Sequence, residues 1–383
     1  MKKRLIVCVL ILSIVLSGCS QLTSTLTSIF SLEPPYIEVT VDASVFEERF
    51  YYAQYSEADQ LVYREIYQGL TEQAKEICVH SSNADHCNQI FHTVIFDFPE
   101  LFWADGSGVS TTYDETYTKV KPNYQYTGEE KERMESEIES AVTGIASSIP
   151  AEYGEYDKIK FVYEYLVNSI AYVEDAPDNQ NIYSALVRKE TVCAGYAKAT
   201  QYVLQRLGIY CAYITGDATG PNGVEGHAWN IVRCNDQYYY VDTTWADPYY
   251  AQSESSSDEV IYDYLCCSEN TISGTHIKDK NYTYPECNAD DLNYYRLNGL
   301  YYETASESQL MNAMKASING KKAETIFKFA NADLYGKAHS ALVNRLVKRA
   351  AEYLGQRYGL RQIHYSYSEI PELNKFVVYW NYQ

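Results

Sequence analysis

The chain has 383 residues, with 31 Lys and Arg against 51 Asp and Glu, a net charge of −20 and a pI near 4.8. So acidic a chain lacks the basic face that phosphate recognition needs, which excludes a nucleic-acid binder. Hydrophobic residues at 46% with only 10 Pro and 19 Gly exclude a disordered or fibrous chain, and the length exceeds one ordinary domain.

In chain order, Lys2-Lys3-Arg4 and the apolar run Leu5 to Leu16 read as a signal peptide over 1–18, the run being too short to span a bilayer. The following Leu16-Ser17-Gly18-Cys19 resembles the bacterial lipobox. That resemblance implies lipidation of Cys19 and a protein on the extracytoplasmic face of the cell membrane. A surface this acidic is repelled by anionic lipid, so acyl chains rather than a basic patch would hold it there. Residues 19–35, Ser/Thr-rich and ending in Pro34-Pro35, read as a flexible tether.

Residues 36–148 read as an N-terminal α/β support module without a catalytic constellation. Alternating Ile37, Val39 and Val41 predict a strand, and Ser56 predicts a helix cap ahead of Leu61, Ile66, Leu70 and Ile77. Phe91 to Trp103 should pack its core, and Lys131 to Ile145 should form a charged amphipathic helix. Cys78-Val79-His80 and His86-Cys87 hold potential metal ligands, but their spacing matches no standard zinc pattern.

Residues 149–295 carry the chemistry. A helix is expected from Asp157 to Ile170, and another from Thr191-Val192-Cys193 to Leu207, ended by Gly208. Three strands are expected next: Ile209 to Gly216, His227 to Cys234, and Gln237 to Trp245. Asn235-Asp236 is the tight-turn signal between the last two. With that turn Cys234 opposes Gln237, and continuing the ladder places Thr244 opposite His227 and Trp229 opposite Asp242. His227 and Asp242 then become diagonal neighbours on one face, roughly 7–8 Å apart between backbones. The Cys193 helix should lie over that face.

Residues 296–383 read as a small C-terminal α+β module. Its strands are expected at Arg296–Glu303, Ala323–Phe329, Arg361–Tyr367 and Phe376–Tyr382, with a long helix from Asp333 to Tyr358. Eight cysteines follow Cys8 and Cys19: Cys78, Cys87, Cys193, Cys211, Cys234, Cys266, Cys267 and Cys287. Cys211 and Cys234 could pair across the first two strands, if their Cα atoms lie within about 7 Å. Cys266, Cys267, His276 and Cys287 form a loose cluster of ligand types, and no metal is assigned. The 40 tyrosines fit half-buried packing positions, with an aromatic-lined groove for peptide or sugar as the alternative.

Three motifs carry a family resemblance: Thr191-Val192-Cys193-Ala194-Gly195-Tyr196-Ala197, Gly226-His227-Ala228-Trp229-Asn230, and Tyr240-Val241-Asp242-Thr243-Thr244-Trp245. They resemble the transglutaminase-like superfamily, more narrowly its bacterial secreted members and the cytokinesis-protein branch. The resemblance covers the middle module and implies an α+β papain-like core, a Cys-bearing helix packed on an antiparallel sheet that bears His and Asp. It implies Cys193 as nucleophile, His227 as general base and acid, and Asp242 as the group that orients the imidazole.

The residues support those roles separately. A cysteine at a helix N-terminus meets unpaired backbone N–H groups that favour thiolate. An imidazole relays a proton only when its second nitrogen is held, which a carboxylate does. Gly195 leaves room for a substrate backbone near the sulfur. Trp229 and Trp245 could wall the site from water. The oxyanion hole would use the Cys193 N–H with a side-chain donor, for which Gln180 and Tyr183 are candidates.

The expected activity is acyl transfer through a thioester on a peptide or protein amide in the cell envelope. Hydrolysis comes first because water needs no second pocket. A true transglutaminase crosslinking proteins and a catalytically silent envelope scaffold are the alternatives. No EF-hand loop, P-loop or dinucleotide fingerprint appears, so no cofactor is expected, and the oligomeric state is left open.

Overall fold

The computed structural model describes residues 34–113, 115–220, 223–247 and 260–383. The signal peptide, Cys19 and all of the tether before Pro34 lie outside the described residues, as does the acidic segment around Ser253–Asp258. Among the described residues no helix is long and apolar enough to cross a membrane.

The architecture is mixed α+β with antiparallel sheets, as expected. It divides into two compact units, one comprising the residues up to Val45, Tyr55–Val94 and Ala104–Gln125, the other Phe46–Gln54, Ile95–Trp103 and Tyr126–Gln383. This division differs from the three expected modules. The helix Gly128–Ser147 stays with the middle residues because Tyr183 donates to Glu137 at 2.7 Å. The C-terminal sheet stays with them through Lys328 and Lys375, which reach Asp263.

The first unit holds a three-stranded antiparallel sheet of Ile77–Val79, Tyr117–Tyr124 and Ala104–Tyr113, in that order. Its helix Glu57–Thr71 starts where the sequence places it, with the Ser56 hydroxyl accepting the Asp59 amide at 3.3 Å. Residues 37–41 do not form the expected strand. The amides of Thr40 and Val41 are taken by the Gln68 side chain, at 3.1 and 3.2 Å, and so are lost to a ladder. The cysteine–histidine palindrome does not converge: His80 bonds Glu65, whereas His86 bonds Asp59.

In the second unit a four-stranded antiparallel sheet runs in the order Gln237–Val241, Gly223–Cys234, Cys211–Gly220 and His276–Lys278. Asn235 and Asp236 both take left-handed backbone, φ 51° and 62°, the conformation a two-residue primed turn requires. The register follows, with Cys234 opposite Gln237 and Asn230 opposite Val241. Cys211 pairs with Val232 rather than Cys234, and both thiols are free, so the expected disulfide is absent.

A second four-stranded sheet orders Tyr301–Tyr302, Glu324–Phe329, Lys375–Trp380 and Tyr365–Ile370, its first pair parallel and the others antiparallel. Helices Glu307–Asn319, Ala332–Ala341 and Val347–Tyr358 bury Leu310, Met314, Ala338 and Leu354 against Phe327 and Phe376. The expected strand at 296–303 shrinks to two residues. Asn293 accepts the amides of Tyr295 and Arg296, which starts a helical turn at Tyr294 instead.

Candidate active site

The strand Gln237–Val241 ends one residue before the carboxylate. The Asp242 amide leaves the ladder to donate to the Tyr264 carbonyl at 3.0 Å. The Asp242 side chain then closes its own turn: Oδ1 accepts the amides of Thr244 at 2.9 Å and Trp245 at 3.0 Å. Thr244 therefore lies in this turn, and the expected strand pairing with His227 does not form. The contact that mattered does form, with His227 Nε2 2.7 Å from Asp242 Oδ2.

Cys193 opens the helix Cys193–Arg206, after Val192 in extended conformation, and its side chain is neither fully buried nor fully exposed. Cys193 lies close enough to the His227 ring to favour its protonated form. With Nε2 committed to Asp242, Nδ1 is the nitrogen left for sulfur. The helix body packs on Ala228 and Asn230, the alternate residues of the strand. Asn230 Nδ2 donates to the Ala197 carbonyl at 2.9 Å, and Ala197 packs on Ala228. Only the first turn of the helix reaches the imidazole. Gly195 does not open space for substrate: a Cβ there would strike the Thr191 hydroxyl and crowd the Asn179 carbonyl at 3.2 Å. Its role is to seat the 179–191 segment against the helix.

Burial disfavours the His227 imidazolium, but the adjacent Asp242 carboxylate and its hydrogen bond outweigh burial and push the pKa up to about 10. Burial likewise opposes the Asp242 carboxylate, yet His227 and His276 hold its pKa well below the usual range. His276 is the residue sequence reasoning missed. Fully buried, it places Nε2 3.0 Å from the same Oδ2, while Nδ1 lies 2.8 Å from the Thr275 hydroxyl. A carboxylate oxygen can only accept, so both imidazoles carry hydrogen on Nε2. Of the residues grouped with His276 in the sequence, Cys266, Cys267 and Cys287 are buried free thiols.

Trp229 and Trp245 both pack against the two histidines. The Trp229 ring stacks on His227 with centroids 5.7 Å apart, and meets His276 edge-on at 5.0 Å. Trp245 packs 4.7 Å from His276 and 6.2 Å from His227. Both indole N–H groups are buried without a hydrogen-bond partner. Tyr183 is not available as an oxyanion donor, because its hydroxyl donates to Glu137 on another helix. Gln180 is exposed, next to the Asn179 carbonyl that accepts the Val192 amide at 3.0 Å.

Among the described residues, His227, Asp242 and His276 are the one group whose ligand atoms converge, all within 4.8 Å. The spacings of 2.7 and 3.0 Å are those of N–H···O bonds. A cation bound to all three would displace both protons and take His227 out of the thiol relay.

Residues 140–243 match the family described as "Transglutaminase-like superfamily". This segment is a transglutaminase-like domain. It contains Cys193, His227 and Asp242, whereas His276 lies beyond its end. No curated protein matches the chain. A solved transglutaminase (TGase) structure is similar over 36% of this chain and 44% of its own, at 13% identity and TM-score 0.25. A candidate cysteine protease from Cytophaga hutchinsonii is similar over 37% of this chain and 63% of its own, at 12% identity and TM-score 0.25. The periplasmic domain of TgpA from Pseudomonas aeruginosa, bound to ethylmercury, is similar over 34% of this chain and 55% of its own, at 15% identity and TM-score 0.22. The chain thus spans less than two thirds of the length of each of these structures.

Proposed function

We propose that the protein is a thiol-dependent acyl-transfer enzyme acting on a peptide or protein amide, with hydrolysis as its reaction. The observation that carries this reading is the buried His227–Asp242 pair, with 2.7 Å between Nε2 and Oδ2, beside Cys193 at the start of its helix. An imidazolium held by a buried carboxylate favours a neighbouring thiolate, and the helix N-terminus adds its dipole. The Cys193 sulfur attacks the amide carbonyl, and the backbone N–H of Cys193 would donate to the oxygen that gains charge. His227 gives its proton to the departing amine as the C–N bond breaks, leaving a thioester and a neutral imidazole. Water then attacks the thioester while His227 takes its proton. The C–S bond breaks, the acid leaves, and the thiolate–imidazolium pair returns. Asp242 stays ionised throughout and holds the ring.

The same thioester would pass to a primary amine if one reached it before water. Incubating the purified protein with a thiol-directed activity probe, and a labelled amide substrate with and without a primary amine, separates the cases. Labelling at Cys193 with release of free acid supports the hydrolase. Amine incorporation would make it a transglutaminase, and no labelling of the folded protein would leave a binding module. We propose further that lipid at Cys19 holds the enzyme on the outer face of the cell membrane, where envelope proteins or peptides would be its substrates.

A further inference from the structure

We propose that His276 is a positioning residue for this reaction, a second imidazole that holds the Asp242 carboxylate by the same oxygen that His227 uses and so sets both the aim and the proton affinity of His227. This rests on the acyl-transfer reading above. The carboxylate has four donors and no free direction. The amides of Thr244 and Trp245 hold Oδ1, and the two imidazoles share Oδ2 at 2.7 and 3.0 Å. Because Asp242 has left the strand, the ladder does not hold it, and these side-chain bonds define its position.

His276 reaches Oδ2 from the far edge of the sheet. Its strand His276–Lys278 pairs with Cys211–Gly220, and His276 itself sits opposite Ala218. Two residues before Ala218 on that central strand is Gly216, whose missing side chain leaves space for the Trp229 ring that packs against both histidines. Thr275 bonds Nδ1 and so fixes the second ring in turn. A buried residue with both ring nitrogens committed, one of them to the catalytic carboxylate, is built for orientation rather than for packing alone.

The physical effect has two parts. Sharing Oδ2 reduces the charge that His227 sees, which moderates its proton affinity, and it stops the carboxylate from rotating away from the ring. The other titratable groups facing this relay are Tyr163 from the helix Glu155–Ser169, Tyr264 from the turn Tyr262–Tyr264, Cys267, and Cys193 with Tyr213 on the sulfur side. Burial raises the pKa of Tyr163, Tyr264, Tyr213 and Cys267, so none of these four carries charge where His227 titrates.

The test is His276→Leu beside His276→Gln in the full chain. Two readouts are followed: the rate of Cys193 labelling by the activity probe, and the NMR titration of the His227 ring. His276→Leu is expected to slow labelling about tenfold and to raise the proton affinity of His227 about tenfold, since Oδ2 loses one donor. His276→Gln, which can still present an N–H to Oδ2, should keep labelling within about threefold of the parent. An unchanged His227 titration in His276→Leu, with labelling reduced only in proportion to unfolded protein, overturns the proposal. Should His276→Leu fail to fold, Thr275→Ala carries the test. It frees Nδ1 and should move both readouts in the same direction by less, and movement in neither overturns the proposal. A parent protein that is not labelled at Cys193 would instead sink the acyl-transfer reading. The NMR titration is read without chemistry at sulfur and tests His276 by itself.

Discussion

Trp229 lies against Gly216 so closely that a Cβ on Gly216 would come within 2.9 Å of the Trp229 ring and would also strike the Ile277 carbonyl. The glycine thus lets the edge strand and the indole occupy the same space, which is how His276 arrives beside His227. Gly216→Ala should cost about 1–3 kcal/mol, the usual range for overpacking a filled interior. Because Ile277 O is backbone, relief requires the edge strand to move. Chemical denaturation should show the loss, and Cys193 labelling should fall by more than the unfolded fraction explains. An alanine variant with parental stability and labelling would mean that the sheet yields there without consequence.

Asp242 is the main reason His227 titrates high, so its removal should bring that value down. With Asp242→Asn the burial of the ring loses its main opposing charge, with Cys193 the remaining group that favours the imidazolium, and the His227 pKa should drop from about 10 toward the ordinary value of about 6.5. An NMR titration of the imidazole C–H groups reads this directly. The linkage gives a pH signature in stability as well. A raised His227 contributes stability below about pH 6.5 that is lost as pH rises through about 10. A depressed Asp242 contributes above about pH 4 and loses it on acidification. The stability gap between parent and Asp242→Asn should be widest between about pH 4 and 6.5. A gap that stays flat across that range and up to pH 10 would contradict the pairing.

Away from the thiol, one buried carboxylate joins the C-terminal sheet to the turn that receives the Asp242 amide. Asp263 accepts from Lys328 at 2.8 Å, from Lys375, and from the Tyr295 hydroxyl at 2.7 Å. Burial opposes its charge, and the two lysines hold its pKa below the usual range despite that. Asp263→Ala leaves two ammonium groups without their carboxylate and should cost about 3–5 kcal/mol. Replacing all three charged residues together by Asp263→Leu, Lys328→Met and Lys375→Met should recover much of that loss. A triple variant no more stable than Asp263→Ala would show that the triad contributes more than charge balance.

The anchoring proposal has a simple chemical test. Cys19→Ala should move the protein from the membrane fraction to the soluble fraction or the medium, since the remaining surface is too acidic to bind anionic lipid by itself. Membrane retention equal to that of the parent would refute lipidation at this position.

The sequence by itself determined those features that local chemistry dictates. Asn235-Asp236 could adopt left-handed backbone, which set the hairpin register from Cys234–Gln237 to Asn230–Val241. Ser56 marked its helix start through a bond three residues long, and the motifs around Cys193, His227 and Asp242 marked the residues for which thiol chemistry is proposed. Tertiary structure decided the rest. Residues 37–41 alternate like a strand, yet their amides go to Gln68, which lies 28 residues from Thr40. Tyr183 looked free to donate near the nucleophile, but a helix 46 residues earlier takes its hydroxyl. Asp242 meets His227 because the chain turns out of the sheet, not because the ladder continues. His276 joins them from 34 residues beyond Asp242, on a three-residue edge strand with no periodicity of its own. A contact of that kind depends on which strands become neighbours and on a glycine that leaves room between them, and neither is written near the residue that uses it.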